Sequence, residues 1–256
     1  MKSTIITAFA AFMGFTAQAQ QKETRAAENA TGIEVKKGIE VVFTQSETPS
    51  LTVEASSREL LDNVATEYKK GILKIYFKND EANTLANANT VKVYVSENEI
   101  TNFNLSNGSL LKLNGKVKAE NLDIRLSGGA TLIGELEVNG TCSVKAATGS
   151  GFRGVLHGGT LTADVLGGSF IRATGSVNDV KLYVSNASVQ VGKLLCTKAD
   201  VQAQQNSVVF VNADNYIKAE ADGTSTVTYY GEPKTTITGT NTYSIQRDTQ
   251  KLTLNK

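Results

Sequence analysis

The chain has 256 residues, 40% hydrophobic and 20% charged, with 22 glycines, one histidine, two cysteines and no tryptophan. Its 26 basic and 25 acidic side chains leave a formal charge of +1, which argues against nucleic acid, whose binders carry a basic face, and against a simple electrostatic membrane anchor. One histidine rules out a histidine-rich metal site and any paired-histidine mechanism.

Lys2, the apolar run from Ile5 to Phe15 and Ala17-Gln18-Ala19 have the layout of a secretory signal cleaved after Ala19. The run is too short for a stable membrane span, and no cysteine stands near the cleavage point to take a lipid. Removing Lys2 leaves 25 basic and 25 acidic residues in a mature chain of residues 20–256. A neutral, soluble, exported protein is expected, in the periplasm or exposed at the surface or beyond it.

Between residues 32 and 95 four strands are expected: Ile39 to Phe43, Leu51 to Ala55, Ile72 to Phe77 and Val91 to Val95. Turns separate them, notably Lys70-Gly71. Ser57 to Val64 carries Leu60, Leu61 and Val64 behind a Ser57 cap, enough for one or two helical turns. Asn79 to Thr90 is polar, rich in Asn and Ala, and reads as a loop.

From Thr101 to Ser225 one pattern recurs seven times: apolar residues on alternate positions, a Gly/Asn-rich corner, then a small residue. The small residues are Ser109, Ala130, Ser150, Ser169, Ser188, Ser207 and Ser225, spaced by 21, 20, 19, 19, 19 and 18. A period near twenty is a solenoid signature. Eight residues before each marker stand Thr101, Leu122, Cys142, Leu161, Val180, Ala199 and Ile217. Two further apolar columns, led by Phe103 and Leu105, run six and four residues before it, and the positions between are polar or charged except Tyr183. Each repeat therefore contributes one short strand with an apolar inner and a solvated outer face. Corners such as Asn107-Gly108, Gly128-Gly129, Gly167-Gly168 and Asn186-Ala187 supply residues that tolerate positive φ.

Helical repeats need a sustained period of 3.6, and these segments show period two, β-branched residues and glycine. The fold class is thus all-β, a parallel β-helix or single-chain β-solenoid with about 19–21 residues per turn, preceded by a β-rich N-terminal part. Strands about 4.8 Å apart make seven turns roughly 30 Å long, and the small inner residues call for a narrow, packed interior. Val227 to Pro233 reads as a last strand and turn, followed by a Ser/Thr-rich tail over 234–256. With no linker inside 20–256, one continuous domain is expected: a β-rich part over 32–95, regular repeats over 101–233 and the tail.

Four stretches resemble a known family, the putative auto-transporter adhesin, head GIN domain, common in exported proteins of Bacteroidetes. They are Gly38-Ile39-Glu40-Val41 followed by Phe43-Thr44-Gln45, the Glu67 to Ile75 segment, the Ser127-Gly128-Gly129-Ala130 type of corner, and Val227 to Pro233. Their order and spacing span nearly all of the mature chain, with Glu40 where the family often has Asn. The resemblance implies adhesion by analogy and no catalytic residues. An auto-transporter needs a C-terminal membrane barrel of many strands. Only 23 residues follow Pro233, so self-export is not expected.

His157 reads as a polar turn residue beside Gly158-Gly159, because a triad would need Ser150 or Ser169 brought to it. Cys142 and Cys196 invite a disulfide in an exported protein, but three turns of about 4.8 Å hold them roughly 14 Å apart, beyond the reach of a bridge. Two buried free thiols are expected. Lys181, Asp200 and Lys218 share one outward column, and Arg125, Lys145 and Asp164 another, where stacked opposite charges stabilise one another. Tyr183, Lys181, Asp200, Lys218, Tyr229 and Tyr230 are the candidate ligand contacts, with Tyr229 and Tyr230 also placed to cap the coil. No cofactor or metal is called for. The partner expected is a glycan or an envelope protein. The function expected is a non-catalytic exported binding or structural module. The alternative is a polysaccharide-active hydrolase or lyase, needing carboxylates such as Asp164, Asp200 and Glu220 to converge in one cleft.

Overall fold

Residues 20–79 and 91–249 are described by a computed structural model of the chain; the expected signal segment, nearly all of the Asn79–Thr90 loop and residues 250–256 lie outside them. The N-terminal part runs β1 (Gln21–Arg25), β2 (Gly32–Val35), β3 (Glu40–Gln45), β4 (Ser50–Ala55), α1 (Arg58–Asn63), β5 (Val64–Lys69), β6 (Ile72–Phe77) and β7 (Val91–Glu97). Ser57 caps α1, its Oγ accepting the Leu60 N–H at 3.2 Å, and Leu60 and Leu61 are buried. Lys70 and Gly71 take φ of 53° and 74°, the pair of positive values that a tight hairpin turn between β5 and β6 requires.

The repeat, expected to start at Thr101, begins in this part. Ile33, Val35, Ile39 and Val41 are all fully buried, and Lys37-Gly38 forms a positive-φ corner like Asn107-Gly108. In space β2 lies in parallel between β6 and β8 (Asn102–Ser106), and β3 between β7 and β9 (Leu110–Ala119). The first coil in sequence is therefore inserted between a later coil, β6–β7, and the regular stack. The excursion through β4, α1 and β5 breaks the period, which hides this coil from a search for even spacing. Antiparallel pairing of β4 on β7, of β1 on β4 and of β5 on β6 covers the end of the rod.

Beyond β10 (Leu122–Ser127) each coil is nearly all strand: β11 (Thr131–Ala146), β12 (Gly151–Leu166), β13 (Phe170–Ser185), β14 (Ser188–Gln204) and β15 (Val208–Ala221). Two straight runs, one after and one before the corner, replace the single short strand expected per repeat. The run before the corner is the expected one, with Leu122, Cys142, Leu161, Val180, Ala199 and Ile217 in register; Thr101, expected inward, is exposed. The run after it has its own column, Leu111, Leu132, Phe152, Ile171, Val189, Val209 and Val227, every one fully buried. Glycines within these runs, which read as turns in the sequence, instead sit in strand where neighbouring backbones approach closely. A Cβ on Gly158 (φ 139°) would overlap the Val138 carbonyl oxygen.

The markers line one corner, with one correction. Ser109, Ala130, Ser150, Ser169, Ser207 and Ser225 are all buried, but the fifth place belongs to Ala187, while Ser188 pairs with Phe170 and Val208 on the outer side. Corners such as Asn107-Gly108, Gly128-Gly129 and Gly167-Gly168 hold two successive positive-φ residues, whereas this one holds Asn186 alone. The loop is one residue shorter and draws Ala187 into the column.

The coil also continues past Pro233. After β16 (Thr226–Tyr230), β17 (Thr235–Thr238) pairs with β15, and β18 (Ile245–Arg247) pairs with β16, over residues expected to form a tail. One hydrophobic cluster runs from Ala30 to Ile245. Its first coils hold the bulk, with Phe43 and Phe103 edge to face at 5.4 Å, and later coils use alanine and valine.

Candidate functional site

Lys181, Asp200 and Lys218 stand side by side on β13, β14 and β15, in the register the sequence implied. Lys218 nevertheless turns along its own strand to Glu220, 2.9 Å away. That hydrogen bond first, and the charges of Glu220 and Asp200 next, raise its pKa above the ordinary lysine range. In the neighbouring column Arg125, Lys145, Asp164, Tyr183, Gln202 and Glu220 are aligned. Lys145 and Asp164 are 3.7 Å apart, and Arg125 reaches Asp123 at 2.7 Å. Asp164 and Glu220 are thus each engaged by a lysine. Tyr183 is exposed, its hydroxyl accepting from Gln204 Nε2, and with Glu220 and Asp222 it borders a shallow groove of about 440 Å³.

Tyr229 and Tyr230 lie on the other run of the coil and do not join that group. Tyr229 packs against the core beneath Arg247 of β18, and Tyr230 is 9% exposed, so β18 rather than the tyrosine pair ends this side of the rod. Burial, then the nearby Asp248, pushes the Tyr230 hydroxyl pKa up.

His157 sits within β12, not on a turn, and its Nδ1 is 3.1 Å from Ser176 Oγ. Ser150 and Ser169 are buried in the corner column, out of any such arrangement. Glu137, beside His157 in register, is held by Lys116 at 3.2 Å, a hydrogen bond that lowers its pKa. Cys142 and Cys196 are both free and buried, and burial first, with nearby carboxylates second, pushes each thiol up to about 12. Such thiols carry almost no thiolate at neutral pH. Among the described residues no three His, Cys, Asp or Glu side chains are grouped to hold a metal ion, and no helix is long and apolar enough to cross a membrane.

Two further concavities involve residues that the sequence did not single out. One, of about 630 Å³, brings Glu99, Glu120 and Asp123 together with Lys118. The other, of about 610 Å³, is lined by Arg153, Arg172, Lys193, Gln190, Phe210 and Tyr230, with glycine, alanine and threonine between them. Arg153, Arg172, Gln190 and Phe210 occupy one outward column across β12 to β15. They lie three residues past the corner serines or Ala187, in the run that the sequence pattern left unread. Reading the repeat forward from the marker as well as back would have found them.

A family model described as putative auto-transporter adhesin, head GIN domain matches residues 29–233. Among solved structures, a Parabacteroides merdae protein described as a putative adhesin aligns with a TM-score of 0.78 at 14% identity, over 90% of this chain and 96% of its own. A Parabacteroides distasonis protein described as a putative lipid binding protein aligns with a TM-score of 0.78 at 18% identity, over 90% and 97%. A Bacteroides fragilis protein described as a putative adhesin gives 0.61 at 14% identity, over 90% and 94%. At such identities the likeness is one of fold. No curated protein matches the chain.

Proposed function

Because the chain belongs to the family described as putative auto-transporter adhesin, head GIN domain, we propose that it is an exported, non-catalytic binding module of the cell envelope. Its coil is a stiff scaffold that holds a glycan or an envelope protein and leaves it chemically unchanged. One observation carries this reading: Lys145 and Lys218 of the predicted ladders are taken up by Asp164 and Glu220, while a concave surface elsewhere gathers cations and aromatics. Engaged charges stabilise strands; a recess with unengaged polar groups and aromatic walls is the usual form of a ligand site. Proteins of like fold are described as a putative adhesin and a putative lipid binding protein, descriptions of binding rather than of a reaction. Export rests on Lys2, the Ile5–Phe15 run and Ala17-Gln18-Ala19.

A second reading, a polysaccharide-active hydrolase or lyase, has in its favour that Glu99, Glu120 and Asp123 line one recess, since such chemistry needs facing carboxyls. The test is a glycan array and envelope pull-down with the chain lacking residues 1–19, followed by product analysis of each glycan retained. Retention of an unchanged ligand is the expected result. Shortened or unsaturated products overturn the non-catalytic reading and direct substitution to Glu99, Glu120 and Asp123.

A further inference from the structure

Beside the recess lined by Arg153, Arg172 and Lys193 the coils do not stack evenly. Between Arg172 and Thr174 of β13, β14 spans Gln190 to Lys193, one residue more; between Val191 and Leu195 it holds three residues that β15, going directly from Val211 to Asn212, lacks. The perimeter of the rod drops at β15, and a bulge of this kind re-aims side chains. Asn212, 9% exposed, donates through Nδ2 to the Gly192 carbonyl at 3.2 Å and supports the overhanging segment from below. The step makes the recess, with Phe210 and Tyr230 lining it and three cations around them.

The charge pattern differs from that at the ion-paired lysines elsewhere on the coil. Lys116, Lys145 and Lys218 each have a carboxylate on the same or the next strand. Arg153 and Arg172 instead stand directly opposite each other on adjacent strands, both 5.9 Å from the Phe170 ring centroid. No carboxylate lines the recess, and among the described residues none forms an ion pair with Arg153, Arg172 or Lys193. Like charges directly opposite on a sheet are destabilising, so this pair is held at a cost that an anion would remove. A shared aromatic ring orients the two guanidinium groups, whose planar forks match carboxylates two bonds at a time.

We propose that this recess binds an acidic oligosaccharide, with Arg153 and Arg172 taking its carboxylates, Lys193 adding charge from the overhang, and Phe210 and Tyr230 facing the apolar side of a sugar ring. The inference rests on the binding-module reading and names its ligand. A volume of about 610 Å³ lies within the range of small-ligand sites, large enough for a few sugar units. Recessed aromatics suit a ring entering the site better than a bilayer, which needs apolar groups that project. The basic column also ends at the recess: in line with Arg153, Ile133 follows, and then Lys112, which is already paired with Glu40 at 2.9 Å. A strand of nucleic acid would find no continuing track of charge.

The test is calorimetric titration of the purified protein with trigalacturonate and a glucuronate-bearing trisaccharide, against the corresponding neutral trisaccharides. Phosphatidylglycerol vesicles and a single-stranded oligonucleotide complete the set. Binding of an acidic trisaccharide, weakening with salt and absent for its neutral counterpart, is expected. Arg153→Ala and Arg172→Ala, both at exposed positions, are each expected to weaken it at least about tenfold, the scale of one charge-assisted hydrogen bond. Arg58→Ala on the distant α1 is expected to bind like the parent, and circular dichroism checks that all variants are folded. Equal binding of acidic and neutral sugars, no binding of either acid, tighter binding of vesicles or oligonucleotide, or arginine variants that bind like the parent each overturn the inference. A glycan held on the array with unchanged strength by the arginine variants would sink this site alone and leave the binding module standing; loss of all binding in both assays would sink both.

Discussion

At the scale of single residues, the corner serines show why a small polar side chain was chosen for a fully buried place. Ser150 Oγ, 2.8 Å from both the Ala147 and the Leu126 carbonyl oxygens, donates to one of them and accepts the Ala147 N–H at 3.1 Å, and the Ser150 N–H reaches Ser169 Oγ on the next coil at 3.3 Å. The Ala147 N–H also reaches the Leu126 carbonyl of the preceding coil at 2.9 Å, so the hydroxyl completes a shared network at the corner, where a buried group left unmet is costly. Ser150→Ala removes both hydroxyl bonds inside the core, so a loss of about 1–3 kcal/mol is expected, read as a lower urea midpoint with an unchanged slope. A loss within error would mean that the corner re-pairs on its own, as Ala130 does through Ser127 O at 3.2 Å. The sequence marked these positions by size and spacing, and five of the six serines it marked line the corner along with Ala130; it missed at Ser188. Nothing local separates Ser188 from Ala187 there, because the choice is made by which of them falls opposite Ser169 and Ser207.

At the scale of the element, the corner after β14 is the most demanding. Gln205 and Asn206 take φ of 58° and 61° without being glycine, a conformation that costs an L residue about 1–2 kcal/mol. The next coil secures them: Asp222 Oδ2 accepts the Gln205 N–H at 2.7 Å, and Thr224 Oγ1 accepts the Asn206 N–H at 3.0 Å. Asp222 Oδ1 in turn accepts the Thr224 N–H and hydroxyl at 3.1 and 2.9 Å. Chief among these, the Gln205 N–H holds the Asp222 carboxyl well below the usual carboxylate range. A folded pKa depressed in this way gives stability that is present above the unfolded value of about 3.9 and is lost as pH falls toward the folded one. Asp222→Ala is therefore expected to lower the melting temperature at pH 7 and to lie closer to the parent at pH 3. An equal gap at both pH values would show that the carboxylate charge does not hold the corner. Of the elements, α1 and β6 were legible from Ser57 and from the alternation at Ile72–Phe77. β1 and β5 were not, because Gln21–Arg25 and Val64–Lys69 are mostly polar and gain their places by covering an edge.

At the scale of the whole molecule, a rod fixes distances that a globule leaves open. Cys142 lies in the run before the corner, between Leu122 and Leu161, while Cys196 lies in the other run, beside Val177 and Ala213. With each thiol pushed up to about 12 by burial, neither is expected to react with an aromatic disulfide reagent in the native protein, and both should react once it is unfolded. The raised pKa values also set a direction: unfolded chains ionise above about 8.5 and the folded one does not, so stability is expected to fall as pH rises from there toward 12. Reaction of one equivalent in the native state would place a thiol at the surface and contradict the burial of that column.

The sequence by itself determined that the chain winds as an all-β coil near twenty residues per turn, which columns of the run before the corner face inward, and that its two thiols stay apart. These follow from alternation and corner chemistry, which act within a few residues. The tertiary structure decided that β2–β3 slips between β6–β7 and β8–β9, that Ala187 takes the place in the corner column, and that the coil continues through β17 and β18. It also decided that Arg153, Arg172 and Lys193 meet Phe210 and Tyr230 in one recess. Each depends on how a backbone re-pairs with the coil beside it after a bulge or an excursion, and that register is set by the sum of hydrogen bonds and burial over the whole stack rather than by any one segment.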